Sequence, residues 1–450
     1  MKKNKLLSLL LMLPLVACSD GFVDAWSNRT DKFISEEKEI IPLTEQEILE
    51  IETRDGIERS NGLKFKFNRD LAIYYLCGTY QEFASLTIPD TYNNLPVTGV
   101  WNEAFKDTSS TLTNLHIGKN VQMISAYDLS ICSLLATITI DENNEYMEFD
   151  NGLLYSLNKQ QLTWCPKDNR TEIILPEETN YFDKYSFINA TNVASIYLGK
   201  DVFGTNIMNM DAFSTLTSLQ NISISNENPN YKSVGGILYS KDETVLERYP
   251  TGRNGKYAID EKVTSIAGNA FCGCKFTSVT INKNIQDIDV FAFYDVHNLL
   301  SINIDNLNPN YSSYEESIYS KDYSSFLFSP KAIDNIKIHP ETRTIKYLEN
   351  EIIENLIIPD GVTTIERIIT PSLKNLILGS GVKNIKSRAF YGSTVFDHVF
   401  YKGSVEELAL INLGDDNPIL VNSKRYFYSE ENPSISGHYW RYVDNVPTIW

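Results

Sequence analysis

The 450-residue sequence is poor in the residue types that carry most recognisable chemistry. It has 5 histidines and 6 cysteines. None of His116, His297, His339, His398 and His438 stands at metal-ligand spacing. H-E-x-x-H, G-x-S-x-G and the phosphate-binding P-loop are all absent, which removes those metalloprotease, hydrolase and nucleotide signatures. Cys272-Gly273-Cys274 has no second pair at zinc spacing, and no C-x-x-C redox pair occurs. No cofactor is implied. A glycine period, heptads and several long apolar spans are also missing, so collagen, coiled-coil and polytopic-membrane architectures fail. Positive charge is short: Lys+Arg 40 against Asp+Glu 58 gives −18. Such an acidic chain repels phosphates and anionic headgroups, which excludes nucleic acid as the natural partner.

What remains is a folded, soluble composition, 42% hydrophobic and 12% aromatic. Lys2, Lys3 and Lys5 precede an apolar run, Leu6 to Ala17, that falls short of the roughly 20 residues a bilayer requires. Residues 1–17 therefore read as a secretory signal. Removing its three lysines takes the net charge from −18 to −21. Leu15-Val16-Ala17-Cys18 resembles the bacterial lipobox, which implies cleavage before Cys18 and lipid attachment to it. Membrane contact is then expected through the lipid alone. The five cysteines that follow, an odd number, argue against a full disulfide framework. Residues 18–60 are polar and rich in Glu. They read as a tether with one short helix near Thr44–Ile51, where Thr44 and Glu47 could form a capping box.

The body repeats itself. Val263-Thr264-Ser265-Ile266, Ala270-Phe271 and Val279-Thr280-Ile281 recur as Ile285-Gln286-Asp287-Ile288, Ala292-Phe293 and Ile302-Asn303-Ile304. Ala104-Phe105, Ala212-Phe213 and Ala389-Phe390 mark further copies. The Ile-x-Ile segments have the period of a strand, and the spacers are too short for a full crossover helix. A longer period lies on top: Asn228-Pro229-Asn230-Tyr231 returns as Asn308-Pro309-Asn310-Tyr311. Leu238-Tyr239-Ser240-Lys241-Asp242 returns as Ile318-Tyr319-Ser320-Lys321-Asp322, with a third copy at Leu154-Tyr155-Ser156. Pro166, Pro250 and Pro330 close the three copies, each of which reads as a β-hairpin insert.

These residues resemble the BspA-like bacterial cell-surface leucine-rich repeats, with a signature near L-x-x-I-x-I-x-x-x-V-x-x-I-x-x-x-A-F-x-x-C. Gly62 to Thr98 looks like the family's entry segment, and Tyr426 to Trp450 like its closing segment. Two coils depart from the pattern: Asp128-Leu129 replaces Ala-Phe, and Ile368–Pro371 lacks the pair. The resemblance implies a mainly β repeat solenoid, a curved rod with a parallel concave sheet, short helical turns opposite, three β-hairpin inserts and capped ends. The solenoid with its entry cap is expected over 61–412 and a C-terminal β cap over 413–450. A coil of about 22 residues cannot bury its own apolar face, so neighbours must stack.

The slot holding Cys274 also holds Thr108, Cys132, Ala190, Leu216, Val296 and Ser393, which marks it as a core position. Gly379-Ser380-Gly381 falls in a turn slot. Side chains beside the inward Ile positions point outward from the sheet. One such column contains Asn335, Asn355, Asn375 and His398, a ladder of short hydrogen-bonding groups. The next contains Ile357, Ile377 and Phe400, a stripe of apolar side chains that is either a contact surface or covered by the closing segment. Trp440, Tyr442 and Trp450 are expected to pack in the cap. The resemblance implies a non-enzymatic, lipid-anchored surface protein of the bacterial envelope, on the outer membrane, that adheres to proteins, host surfaces or matrix. The alternatives are glycan capture in nutrient uptake and a self-associating envelope component.

Overall fold

A computed structural model of the chain describes residues 55–450 apart from 102, 183, 203–211, 394–395, 418–419, 421, 435–436 and 445, together with Gln46, Leu49 and Thr53. Residues 1–58 and 59–450 form separate units. In the first, Gln46, Leu49 and Thr53 are helical and exposed. The signal, Cys18 and the Thr44/Glu47 pair lie outside the described residues.

Residues 59–450 form a β-solenoid. Within each Leu-x-x-Ile-x-Ile segment alternate side chains enter one core. In Asn114–Ile117, Leu115 and Ile117 are buried while Asn114 is exposed. Asn221–Ile224 and Asn355–Ile358 repeat the pattern. Stacking is parallel and in register, Ile196 on Ile222 and Leu198 on Ile224. The Ala-Phe pairs fill the opposite side of the coil, where the small residue leaves room for the ring. Phe271 stacks on Phe293 with ring centroids 5.0 Å apart, and Phe293 on Phe328 at 4.9 Å. Among the described residues of this unit helix is confined to single turns such as α1 (Ala126–Ser130), capped by Ser125, and α2 (Val405–Ala409), closed by a full Ser404/Glu407 capping box.

The concave face is divided into four parallel sheets rather than one continuous one. They begin with the strands Ser85–Ile88, Glu172–Ile174, Asn254–Ala258 and Asn355–Ile358. The first two breaks, and part of the third, fall at the inserts. Each insert is a three-stranded antiparallel meander, one strand more than the expected hairpin. The first comprises Met147–Asp150, Leu153–Ser156 and Leu162–Trp164. The second comprises Tyr231–Val234, Ile237–Ser240 and Val245–Arg248, and the third Tyr311–Tyr314, Ser317–Ser320 and Ser325–Phe328. The last strand of the second and third meanders pairs in parallel with the following coil, so the insert is woven into the stack.

The asparagine of each Asn-x-Asn-Tyr motif explains the motif. Asn308 Nδ2 donates to the carbonyls of Asn282 and Ile285 in the coil below, at 2.9 and 3.0 Å. Its Oδ1 accepts from the amides of Asn310 and Tyr311. Asn228 makes the same four bonds with Lys200, Val202, Asn230 and Tyr231. Both are fully buried, so each satisfies four backbone groups that water cannot reach.

Caps close both ends. At the entry, Leu63–Asn68 pairs with Ile73–Thr79, which pairs with Leu95–Val100, and Phe65 stacks on Tyr92 at 4.2 Å. At the exit, Lys424–Tyr428, Tyr439–Val443 and Val446–Ile449 extend the fourth concave sheet, the last two as an antiparallel pair.

Candidate functional site: the concave face

The fourth sheet aligns the candidate residues by strand register. Asn355, Asn375 and His398 stand opposite one another, as do Ile357, Ile377, Phe400 and Tyr426. Asn375 Nδ2 donates to Asn355 Oδ1 at 2.8 Å, and His398 Nδ1 meets Asn375 Oδ1 at 2.8 Å. That carbonyl oxygen accepts, so Nδ1 of His398 is the protonated nitrogen. The bonds run from coil to coil and fix the rotamers, giving a pre-ordered polar strip. Asn335 is exposed but stands outside it, on a stretch with no strand pairing.

The apolar stripe is in register but mostly covered. Ile377 is 3% and Phe400 4% exposed, in a cluster with Trp440. Trp440 is fully buried, its ring 5.3 Å from Phe400 and its Nε1 donating to Tyr401 O at 3.0 Å. Tyr426 and Tyr442 complete the cover. Ile377 and Phe400 are therefore packing residues and not contact residues. The closing strands fold back over them because five adjacent aromatic and aliphatic groups gain more from mutual burial than from water. Only Ile357, 48% exposed, remains open, and self-association through the whole stripe has no surface to use. Trp450 stays at the rim, under the Arg441 guanidinium at 3.8 Å from the ring centroid.

Sequence reasoning missed a second open isoleucine. Ile174 is 62% exposed and stands in register with Tyr197 in the second concave sheet. Glu172-Ile173-Ile174-Leu175-Pro176 matches Asn355-Leu356-Ile357-Ile358-Pro359 position for position, which was the available signal. The polar strip differs in charge, with Glu172 at the position of Asn355. Ser195 donates to Glu172 and Tyr197 to Glu177, at 3.3 and 2.7 Å. The Tyr197 hydrogen bond leads in holding the Glu177 carboxyl below its usual range.

Four cysteines, Cys132, Cys165, Cys272 and Cys274, are buried in the core, and Cys132, Cys165 and Cys274 form no disulfide. Burial pushes the Cys132, Cys165 and Cys274 thiols up to about 12, so they are poor nucleophiles and metal ligands at neutral pH. Gly273 between the last pair has φ +71°, and a Cβ there would meet Ser214 Cα at 2.8 Å. Cys272-Gly273-Cys274 is thus a tight turn against the preceding coil. Among the described residues no group of three or more His, Cys, Asp or Glu side chains is placed to hold a metal ion.

Parallel coils of about 22 residues, with Leu-x-x-Ile-x-Ile on one side and Ala-Phe on the other, define a leucine-rich-repeat solenoid. The chain belongs to the BspA-type leucine-rich-repeat family, whose profile matches in six copies over residues 78–165, 98–233, 254–369 and 346–410. Among solved structures, it is similar to a leucine-rich cell-surface protein from Faecalibacterium prausnitzii at 18% identity and TM-score 0.37, covering 79% of this chain and 97% of that one. A leucine-rich-repeat protein from Bacteroides ovatus matches at 13% identity and TM-score 0.31, covering 82% and 99%. The pneumococcal vaccine antigen PcpA matches at 16% identity and TM-score 0.30, covering 84% and 89%. No curated protein sequence matches the chain.

Proposed function

We propose that the protein is a non-enzymatic, surface-exposed binding module that adheres to a protein of a host surface or matrix through the fourth concave sheet. The observation that carries this reading is Ile357, an open apolar group beside the hydrogen-bonded strip Asn355–Asn375–His398. An apolar centre flanked by pre-ordered, uncharged donors and acceptors suits a protein partner, because little side-chain entropy is lost on binding. Family membership and the printed description of the Faecalibacterium protein as a cell-surface protein support the location. Cys18 is the lipid attachment point and residues 18–60 the tether that gives the solenoid reach from the outer membrane.

Two tests apply. Pull-downs from host matrix should be positive and a glycan array negative; the reverse result would establish the glycan-capture alternative. Cys18→Ala should move the protein from the membrane fraction to the soluble one, and retention in the membrane would refute the anchor.

A further inference from the structure

One coil breaks the repeat with an ionisable group. The slot before the buried Phe holds Ala104, Ala212, Ala270, Ala292 and Ala389, but in the coil of the strand Asn114–Ile117 it holds Asp128 ahead of Leu129. Asp128 is fully buried; neither carboxylate oxygen makes a hydrogen bond of full geometry, and the donors that reach toward it are the backbone amides of Glu103 and Ala104. On α1 itself the facing titratable groups are Tyr127 and, just beyond it, Cys132. The preceding coil presents Glu103, a like charge, and the amides of Glu103 and Ala104. Lys106, the nearby cation, is already paired with Glu103 at 3.2 Å. Tyr185 packs edge-on against Tyr127 at 5.1 Å, and the strand Leu162–Trp164 against α1 brings no ionisable side chain. Among the described residues no counter-ion faces the carboxyl.

The backbone explains why this coil is the weak one. Between later coils the same edge is closed by Asn269 N donating to Phe291 O and Phe271 N to Ala292 O, at 3.1 and 3.0 Å. Tyr127 O occupies the position of Phe291 O, but it accepts from Ile131 N and Ser130 Oγ within its own turn. The stack therefore loses a coil-to-coil bond where it also buries a carboxyl.

We propose that Asp128 makes its coil a pH-sensitive element of the solenoid, packed while the carboxyl is neutral and loosened when it ionises. Burial, with the Glu103 charge adding and the two amides opposing, pushes this carboxyl up to about 7 from an ordinary value of 3.8. A raised folded-state value on an acid means that the open coil ionises first. Packing of this coil therefore weakens as pH rises from about 4 to about 7, and is constant above that. Three pH units at tenfold each set an upper range of about a thousandfold in the opening equilibrium.

Hydrogen exchange of the full-length protein tests this, read at the amides of Leu129, Ile131 and Cys132 between pH 5 and 8 and corrected for intrinsic exchange. The expected result is protection that falls about tenfold per pH unit up to pH 7 and then levels, with a flat profile in Asp128→Ala and in Asp128→Asn. Asp128→Asn preserves the side-chain shape should the alanine variant pack poorly. A flat wild-type profile, or an unchanged slope in both variants, would overturn the proposal.

Discussion

The second and third meanders are built on one plan and filled differently. Asn228 and Asn308 make the same four bonds, and Ser240–Asp242 and Ser320–Asp322 the same turn. The bulge falls at the same place, between Leu238 and Tyr239 and between Ile318 and Tyr319. Their tips and cores diverge. Gly235-Gly236 turns the second meander and Glu315-Glu316 the third, in the same left-handed conformation. Arg248 fills a fully buried slot that holds Phe328 in the third meander and Trp164 in the first. A guanidinium is tolerated there because it donates to the carbonyls of Asn269 and Cys272 in the next coil. Groups that satisfy buried backbone repeat to the atom, while the filling of the space between varies with whatever partner is at hand.

That contrast can be broken at its strongest point first. Asn308→Ala removes a donor from two carbonyls and the acceptor of two amides and should lower stability by about 3–5 kcal/mol. Asn228→Ala should do the same, measured by urea denaturation, and a large difference between the two would break the equivalence. Arg248→Ala should cost about 3 kcal/mol, since two buried carbonyls lose their donor together with the packing of the aliphatic stem. Replacing Glu315-Glu316 by Asn-Gly should raise stability by about 1–2 kcal/mol, because neither glutamate favours positive φ. Calorimetry should show the gain as a higher Tm.

The smallest effect is with acid. The Ser320 and Ser324 hydroxyls hold the Asp322 carboxyl at about 2, and Ser240 and Thr244 hold Asp242 below its ordinary value. A depressed folded-state value means that the turn gives stability above about pH 4, which is lost as pH falls through about 2. Asp322→Asn should flatten that part of the pH profile of chemical unfolding, and Asp242→Asn should do so to a similar degree.

How much was legible follows from where the information lies. Asn228-Pro229-Asn230-Tyr231 and its copy announced the inserts because the four bonds are made by one residue type at one offset. Ala-Phe and Ile-x-Ile gave the coil because each slot accepts little else. The first strand of the second and third meanders escaped notice, since Tyr-Lys-Ser-Val and Tyr-Ser-Ser-Tyr show no apolar alternation. The cover over Ile377 and Phe400 could be named as an option but not decided, because Trp440 arrives 40 or more residues later and its position depends on strand pairing at the exit. Asp128 showed as a departure from the pattern. Its full burial without a counter-ion is a property of packing that no local motif states.

The central claim is that the uncharged strip around Ile357, and not the charged surroundings of Ile174, is the adhesive surface. The direct measurement is binding of the full-length protein to immobilised host matrix proteins, with Ile357→Asp and Ile174→Asp side by side. The account predicts that Ile357→Asp weakens binding about tenfold or more, as burial of a charge at a contact centre requires, while Ile174→Asp binds as wild type. Wild-type binding by Ile357→Asp would contradict it.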